Sequence, residues 1–364
     1  MSKPRIIAFY LPQYQPIPEN DEWYGKGFTE WTNVGKAKPL FPGHYQPRVP
    51  ADLGYYDLRI PEVREAQAQL AKEAGIEGFC YWHYWFEPGN EILEKTFNEV
   101  VEKGKPDFPF CLGWANESWY LKLWNKDSKK DKLLAEQKYK GIEDYTAHFY
   151  SLLKAFKDKR YMTQDGKPIF MIYKPFASSE IKVFMETWNK LAKKEGLQGI
   201  FWVAHLASCD SKINECLKLG FDAVNINNMH KLSKEYSFVK KGFNLIIRKV
   251  FNIPYILDYR KMSKKFAPQE LFKNPCVCPT IITGWDHTPR SGKNGTGLMN
   301  HYNPETFRAH VHDVFNKIKK YGSGYNSIVF LKSWNEWAEG NYIEPDLKYG
   351  KDFLLAIKDE IDLM

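Results

Sequence analysis

Short apolar runs alternate with longer amphipathic segments along the whole chain. Eight of these runs are rich in β-branched or aromatic residues and have the length of strands: residues 5–10, 76–82, 108–114, 168–173, 199–205, 223–227, 277–283 and 327–332. Seven segments with a helical spacing of apolar residues lie between or after them: residues 61–74, 92–103, 144–157, 181–194, 212–219, 305–320 and 352–362. This order is typical of parallel strands that are joined by covering helices.

Eight strands with intervening helices predict a (β/α)8 TIM barrel, and a doubly wound open sheet is the alternative. No internal repeat and no linker rich in Pro, Gly or Ser divides the sequence, so we expect residues 1–364 to form a single catalytic domain. Three connections exceed the usual length, at about 11–60, 115–141 and 228–276. We interpret them as insertions in the βα-loops, which carry the active site of a barrel.

Aromatic residues make up 16% of the chain, with 12 Trp, 22 Tyr and 24 Phe, which is more than a core alone requires. Aromatic faces suit flat ligands such as sugars or bases, and an aromatic-rich core is the alternative explanation. The six cysteines include no CxxC pair and are interpreted as reduced packing residues. No apolar stretch approaches the length of a membrane span and no signal-peptide core follows Met1, so we expect a cytoplasmic protein.

Basic residues are concentrated in one segment of the chain. The formal net charge is +8, and residues 231–265 alone hold ten Lys or Arg against Glu235 and Asp258. Apolar residues within this segment make it a candidate surface for anionic lipid headgroups or an acidic glycan, which predicts peripheral contact with the inner membrane. A solvated helical excursion without a partner is the alternative, and we favour it.

The strongest chemical signal lies at the end of the last predicted strand, where Glu336 and Glu339 follow an apolar run and are surrounded by Trp, Asn and Gly. In a straight strand their side chains would point to opposite faces, so a shared site requires a turn, which Gly340 makes plausible. Two nearby carboxylates are the requirement for acid/base cleavage of a glycosidic bond. One would be protonated among aromatic rings, and the other would be kept ionised by a donor such as Asn335. Two unrelated surface glutamates are the alternative.

The other predicted strands end in aromatic and polar residues together. These candidates for substrate contact are Tyr10, His83, Trp114, Asn116, Glu117, Tyr173, His205, Trp285 and Asp286, the last two within the segment 284–290. Stacking faces combined with amide, imidazole and carboxylate groups describe a carbohydrate site better than a phosphate or dinucleotide site. For His83 or His205 alone, a structural role is the alternative.

Several other classes of function lack their sequence signatures. The chain has no P-loop, no HExxH, no GxSxG, no zinc-type Cys/His spacing and no GxGxxG after the first strand, so we expect no metal and no cofactor. A glycine-rich loop at residues 292–297 follows the seventh strand, where barrels often bind phosphate. Nucleic-acid binding is disfavoured because the basic segment and the aromatic strand ends are far apart in the sequence.

Six motifs together resemble one known family. They are residues 9–14, 23–33, 44–48, 78–86, 114–117 and 334–340. With these motifs the chain resembles WbsX-type proteins, which are glycoside hydrolase family 99-like proteins of bacterial O-antigen and capsule gene clusters, and the resemblance extends from Arg5 to Asp346. Trp31, within the second motif, joins the candidate substrate contacts on this basis.

The resemblance implies roles for the two glutamates, which match the E-W-x-E motif of family 99 mannosidases. Glu336 would act as a base on the 2-hydroxyl of the sugar, giving a 1,2-anhydro sugar, and Glu339 would be the general acid/base. The expected function is therefore a retaining glycosidase that acts on a bacterial surface polysaccharide or its precursor. Endo action and a lipid-linked substrate are both compatible with this expectation. A glycosyltransferase of lipopolysaccharide biosynthesis and a non-catalytic glycan-binding protein are the alternatives.

The glycosidase hypothesis also predicts a geometry. Both glutamates should open into one aromatic-lined cleft, with their carboxyl groups roughly 5 to 9 Å apart.

Overall fold

The computed structural model describes residues 3–121, 132–208, 212–229, 253–292 and 297–364. Eight parallel strands pair in chain order and the last pairs with the first, which closes a barrel. The strands are β1 (Arg5–Tyr10), β2 (Gly78–Glu87), β3 (Phe110–Trp114), β4 (Lys167–Ile172), β5 (Phe201–Leu206), β6 (Ala223–Ile226), β7 (Val277–Ile282) and β8 (Ile328–Lys332). The predicted (β/α)8 barrel is confirmed, and the open sheet is excluded.

The barrel strands are buried on both faces, which explains why they are apolar runs and not alternating patterns. Every residue of β5, β6 and β7 is buried. Their side chains belong to a hydrophobic cluster that also includes the inner faces of the surrounding helices. Four of the five described cysteines are buried, as expected for packing residues.

Helices surround the barrel, and seven of those described match the predicted segments to within about two residues. The described helices are α1 (Pro18–Tyr24), α2 (Glu30–Gly35), α3 (Pro61–Glu73), α4 (Glu94–Lys103), α5 (Ile142–Phe156), α6 (Ile181–Lys194), α7 (Lys212–Leu219), α8 (Tyr259–Phe266), α9 (Thr288–Ser291), α10 (Pro304–Tyr321) and α11 (Asp352–Asp362). Of these, α1, α2, α8 and α9 were not predicted. Helix α10 begins where its sequence predicts, because the Asn303 side chain accepts a hydrogen bond from the Thr306 backbone at 2.9 Å and Pro304 occupies the first turn.

Strand β2 differs most from its predicted bounds, since it continues five residues beyond Trp82. Its extension pairs in antiparallel fashion with a short strand, Asn90–Ile92, so that Tyr84 lies opposite Ile92. The insertion after β3 contains a short antiparallel pair, Trp119–Leu121 with Lys132–Ala135, and Ile256–Asp258 of the insertion after β6 pairs in parallel with Leu298–Asn300 of the segment after β7. The insertion that follows β1 contributes α1 and α2, and α2 packs against the turn after β8.

The basic segment 231–265 lies mostly outside the described residues, which resume at residue 253. Its described end contains α8, whose Tyr259, Met262 and Phe266 are buried against the barrel, while Lys264 and Lys265 are exposed. Within the described stretches, no helix is long and apolar enough to cross a bilayer.

Candidate active site

A cleft of about 590 Å³ opens at the carboxyl ends of the strands. Both Glu336 and Glu339 line it, as the sequence predicts for a shared site. Its walls combine aromatic, acidic and basic side chains, among them Phe9, Tyr24, Glu30, Trp82, Tyr84, Glu117, Trp119, Tyr173, His205, Trp285, His287, Arg290, Lys332, Glu336 and Glu339. Its position agrees with the face on which barrels build active sites.

The turn after β8 brings the two glutamates to the same side. Asn335–Glu336 pairs in antiparallel fashion with Asn341–Tyr342, and Trp337–Glu339 forms a single 3-10 turn between them. Gly340 closes this turn with φ 57°, in the left-handed region that favours glycine. A Cβ at Gly340 would also lie 2.6 Å from the Asp286 Cβ. The turn that the sequence requires is therefore present, and glycine is needed for both its backbone conformation and its packing.

Glu336 is buried at the base of the cleft, with only 7% of its surface exposed. The Ser333 hydroxyl donates to its Oε1 at 3.1 Å, and the Trp82 indole donates to the same oxygen at 3.4 Å. The Lys332 ammonium lies 3.9 Å from Oε2. Burial raises the pKa of Glu336 to about 7, opposed by Lys332 and supported by the nearby Glu339 charge. Glu336 is thus poised to carry a proton near neutral pH.

Glu339 is held in the opposite charge state. Burial alone would raise the pKa of Glu339, but the Arg290 and Lys332 charges and a hydrogen bond from Glu336 hold it below its ordinary value. Arg290 donates to Glu339 Oε1 at 2.5 Å, and His287 Nε2 lies 4.0 Å from the same oxygen. Arg290 also donates to Glu30 of α2 at 3.1 Å, so one guanidinium bridges two carboxylates.

The two carboxyl groups act on each other, which raises the pKa of Glu336 and lowers that of Glu339. Both glutamates line one aromatic-walled cleft, as the hypothesis requires, and the separation of roughly 5 to 9 Å between their carboxyl groups stays a prediction. Two carboxyl groups that share one proton are a common arrangement for acid/base chemistry, because environment separates their pKa values.

Four further predicted contacts line the cleft: Glu117, Tyr173, His205 and Trp285. Tyr173 and His205 stack with ring centroids 5.1 Å apart, and the Lys332 ammonium lies 5.9 Å from the Trp285 ring centre. Their contact with a substrate stays a prediction.

Three predicted residues on strands face away from the cleft. The Tyr10 hydroxyl donates to Gln67 of α3 at 2.7 Å, His83 Nε2 lies 2.7 Å from His148 of α5, and the Trp114 indole donates to the Trp85 carbonyl at 2.9 Å. Successive side chains of a strand point to opposite faces. Hence the residues one position earlier on β1 and β2, Phe9 and Trp82, line the cleft instead.

The remaining four predicted residues also do not line the cleft, because their side chains are hydrogen-bonded to other parts of the protein. The Trp31 indole donates to the Tyr56 carbonyl at 2.7 Å. The Asn116 side chain bonds both backbone groups of Lys174. Asp286 accepts hydrogen bonds within a separate cavity, and Asn335 bonds the backbone of Leu11.

Sequence reasoning missed the cations that set the charge state of the pair. Arg290 and Lys332 were not among the predicted contacts, and neither was Glu30. Lys332 could have been predicted, because it is the last residue of the strand that directly precedes the segment with Glu336 and Glu339. The Glu30 to Arg290 pair spans 260 positions and had no comparable signal.

A family model and two curated relatives match this chain. The family model described as glycosyltransferase WbsX matches residues 6–357, so this protein belongs to the WbsX family. The WxcX protein of Xanthomonas campestris pv. campestris strain ATCC 33913 is 33% identical over 364 residues, covering 98% of this chain and 49% of that protein. The WxcX protein of strain B100 has the same identity and coverage. The chain spans about half the length of the curated relatives it matches.

Solved structures with the same architecture are glycoside hydrolase-like. One titled a glycoside hydrolase-like protein has a TM-score of 0.64 at 14% identity, covering 99% of this chain and 94% of the other. The family 99 endo-α-mannosidase of Bacteroides thetaiotaomicron, in complex with bis-tris-propane, has a TM-score of 0.56 at 14% identity and covers 99% and 96%. At this identity the likeness establishes the shared barrel fold.

Proposed function

We propose that this protein is a carbohydrate-active enzyme that cleaves or rearranges a glycosidic bond in a bacterial surface polysaccharide or its precursor. The observation that carries the proposal is that Glu336 and Glu339 line one aromatic-walled cleft and have pKa values shifted in opposite directions. Family membership and the glycoside hydrolase-like barrel support it.

The proposed reaction retains the anomeric configuration. The two carboxyl groups are roughly 5 to 5.5 Å apart in retaining glycosidases and roughly 6.5 to 9.5 Å apart in inverting ones, so the separation of Glu336 and Glu339 distinguishes the two outcomes. In the proposed reaction, Glu336 removes the proton of the 2-hydroxyl while that oxygen attacks the anomeric carbon, and Glu339 protonates the departing oxygen. Water then opens the 1,2-anhydro ring, with Glu339 as base, and the 2-oxygen regains its proton from Glu336.

This sequence of steps needs Glu336 ionised and Glu339 protonated at the start, which is the reverse of the charge states that their pKa shifts favour. Transfer of one proton from Glu336 to Glu339 produces the required state. A bound sugar would favour the transfer, because a 2-hydroxyl donating to Glu336 stabilises its ionised form. The two roles are therefore proposed for the bound complex.

The cleft walls suit an oligosaccharide. Trp285, Tyr173 and Trp119 offer aromatic surface, and Glu117 and His205 add polar groups between these rings. Lipid linkage of the glycan, and membrane contact through residues 231–265, belong to the same proposal, as does one catalytic domain over residues 1–364.

A glycosyltransferase is the second candidate, and the family description favours it. Transfer from an activated sugar requires a site for a donor phosphate. Within the described cleft, the cations nearest the pair, Arg290 and Lys332, already face carboxylates. The cleft therefore favours the glycosidase.

The test is a product assay with the purified protein and a panel of O-antigen and capsule oligosaccharides, followed by proton NMR of the new reducing end. We expect cleavage with retained anomeric configuration and without an added sugar donor. Glu336→Gln and Glu339→Gln should each lower kcat by roughly 100-fold or more, since acid/base catalysis contributes on the order of 10²–10⁴. Glu305→Gln, an exposed carboxylate on α10, is the matched control and should keep full activity.

Other results would contradict the proposal. Product that forms only with a nucleotide-sugar donor would establish the transferase. Glycan binding without turnover in the wild-type protein would establish a binding function.

A further inference from the structure

A second cavity lies beside the cleft, behind the turn that carries the two glutamates. It measures about 230 Å³ and shares no lining residue with the cleft. Gly340 packs between the two, because it follows Glu339 of the cleft and lies against Asp286 and Arg48 of the cavity. Exposed residues Gly43 and Lys348 among its lining indicate that the cavity opens to solvent.

Three polar atoms of lining residues are buried without a hydrogen-bond partner. They are Nε of Arg48, the Tyr302 hydroxyl and Oδ1 of Asn300. Arg48 itself is only 8% exposed. Buried polar atoms in proteins are nearly always paired with protein, water or ligand. A donor, an acceptor and a hydroxyl that serves as either form a set that a polyhydroxylated ligand can satisfy.

The carboxylates of the cavity are already occupied. Asp286 accepts from His44 at 2.9 Å and from Gln46 at 2.7 Å. Asp346 accepts from the Tyr342 hydroxyl at 2.6 Å and from the backbone of Tyr349 at 2.7 Å.

The cations of the cavity are also balanced. The Arg48 guanidinium lies 3.9 Å from Asp286 and donates to the Gly340 carbonyl at 3.2 Å. The Lys348 ammonium lies 4.6 Å from the Tyr45 ring centre. Arg48 and Lys348 are matched in number by Asp286 and Asp346, so the acidic and basic residues of the lining bring no net formal charge. The cavity therefore suits a neutral ligand.

Aromatic rings provide the rest of its surface. Tyr302 stacks on Phe353 with centroids 4.7 Å apart, and Tyr45 and Tyr349 meet edge to face at 6.3 Å. Apolar rings combined with a few convergent polar atoms are the usual composition of a small-molecule site, and they match the apolar and hydroxylated faces of a pyranose.

We propose that this cavity is an accessory site that binds one neutral sugar residue. It goes beyond the proposed reaction, since binding here uses neither Glu336 nor Glu339. A branch or a remote unit of the glycan held in this cavity would anchor the chain beside the cleft and add affinity through a second point of attachment.

The experiment measures binding of free sugars by saturation-transfer NMR and titration. The probes are mannose, rhamnose and galactose, with glucuronic acid as the charged comparison. The host protein carries Trp285→Ala, which weakens sugar contact in the cleft and leaves the cavity intact. Into this host we introduce Tyr302→Phe, which removes only the unpaired hydroxyl and keeps the ring. Tyr45→Ala, which opens the aromatic wall, is the second variant.

We expect at least one neutral sugar to bind the host with a dissociation constant that Tyr302→Phe raises about fivefold or more, as loss of one buried hydrogen bond implies. Tyr45→Ala should also weaken binding, and glucuronic acid should bind less tightly than the neutral probes. Unchanged affinity in both variants, or no binding of any neutral probe, would overturn the proposal and leave a cavity that holds water only. A protein that binds sugar here but cleaves no glycan would refute the proposed reaction and retain the accessory site.

Discussion

The side-chain amide of Asn335 is hydrogen-bonded to both backbone groups of Leu11. The Leu11 nitrogen donates to Oδ1 at 2.8 Å, and Nδ2 donates to the Leu11 carbonyl at 3.0 Å. Leu11 follows β1 and Asn335 directly precedes Glu336, so these two hydrogen bonds connect the first strand of the barrel to the turn that carries Glu336 and Glu339. Asn335 is therefore a positioning residue for Glu336.

Replacing this amide should both destabilise the protein and displace Glu336. Asn335→Ala leaves two buried backbone groups of Leu11 unpaired, each of which costs about 1 to 3 kcal/mol. We expect the free energy of unfolding to fall by roughly 2 to 4 kcal/mol in urea titrations, with a loss of kcat. Asn316→Ala, on the exposed face of α10, is the control and should change stability by less than about 0.5 kcal/mol. A stable but inactive Asn335→Ala protein would instead indicate direct contact with substrate.

The two glutamates should affect stability in opposite directions at alkaline pH. The folded-state pKa of Glu336 is raised above its unfolded value, so its contribution is complete below the unfolded pKa and is lost as pH rises through about 7. At pH 8 its ionised form is buried at a cost, and Glu336→Gln should raise Tm. The pKa of Glu339 is lowered, so its contribution is present above its ordinary pKa and lost in acid.

Glu339→Gln is thus expected to lower Tm at pH 8, because the buried Arg290 then keeps only Glu30 as an ionic partner. Thermal melts of both variants and of the wild type from pH 5 to pH 8 measure these effects. The wild-type Tm should fall more steeply over this range than that of Glu336→Gln. Equal shifts of the same sign in both variants would refute the assigned charge states.

Removal of Arg290 should move the acidic limb of the pH–rate profile. Without this guanidinium, Glu339 loses the main charge that lowers its pKa, so it takes up a proton at higher pH. For Arg290→Met we expect the acidic limb of kcat/KM to shift upward, by an amount read directly from the profile. Lys36→Met removes another cation of the cleft and should leave that limb in place. If the acidic limb is unchanged in Arg290→Met, it reports the titration of a group other than Glu339.

Two of the three tryptophans of the sequence-based site, Trp31 and Trp285, should behave differently. Trp285 lines the cleft, so Trp285→Ala should raise KM for an oligosaccharide while Tm changes little. Trp31 packs against Trp337 with centroids 5.6 Å apart and bonds the Tyr56 carbonyl, so Trp31→Ala should unfold at clearly lower urea concentration, by about 3 kcal/mol or more. The reverse pattern would indicate that Trp31 contacts the substrate and that Trp285 does not.

The sequence was sufficient for the barrel because its strands and helices are defined by local periodicity. Helices α6, α7 and α11 begin and end at the predicted residues. The candidate contacts on strands were less accurate because aromatic and polar residues occupy both faces of these strands. On β2, Trp82 and Tyr84 line the cleft while the intervening His83 packs outward against α5.

Other parts of the site depend on contacts that no local pattern contains. The insertion after β1 carries Glu30, the loop after β7 carries Arg290, and the turn after β8 carries Glu339. The cavity behind Gly340 is likewise assembled from segments that are distant in the sequence. Such arrangements follow from how the loops pack, and composition indicates only that suitable residues are available.

The guanidinium shared by Glu30 and Glu339 also limits how this barrel can be recombined. A loop graft that replaces the insertion after β1 would remove Glu30. The Arg290 guanidinium would then keep its ion pair with Glu339 and lose the one with Glu30. The pKa values of Glu336 and Glu339 would change even though the turn that carries them was left untouched. Chimaeras within this architecture should therefore exchange the loops after β1, β7 and β8 as one unit.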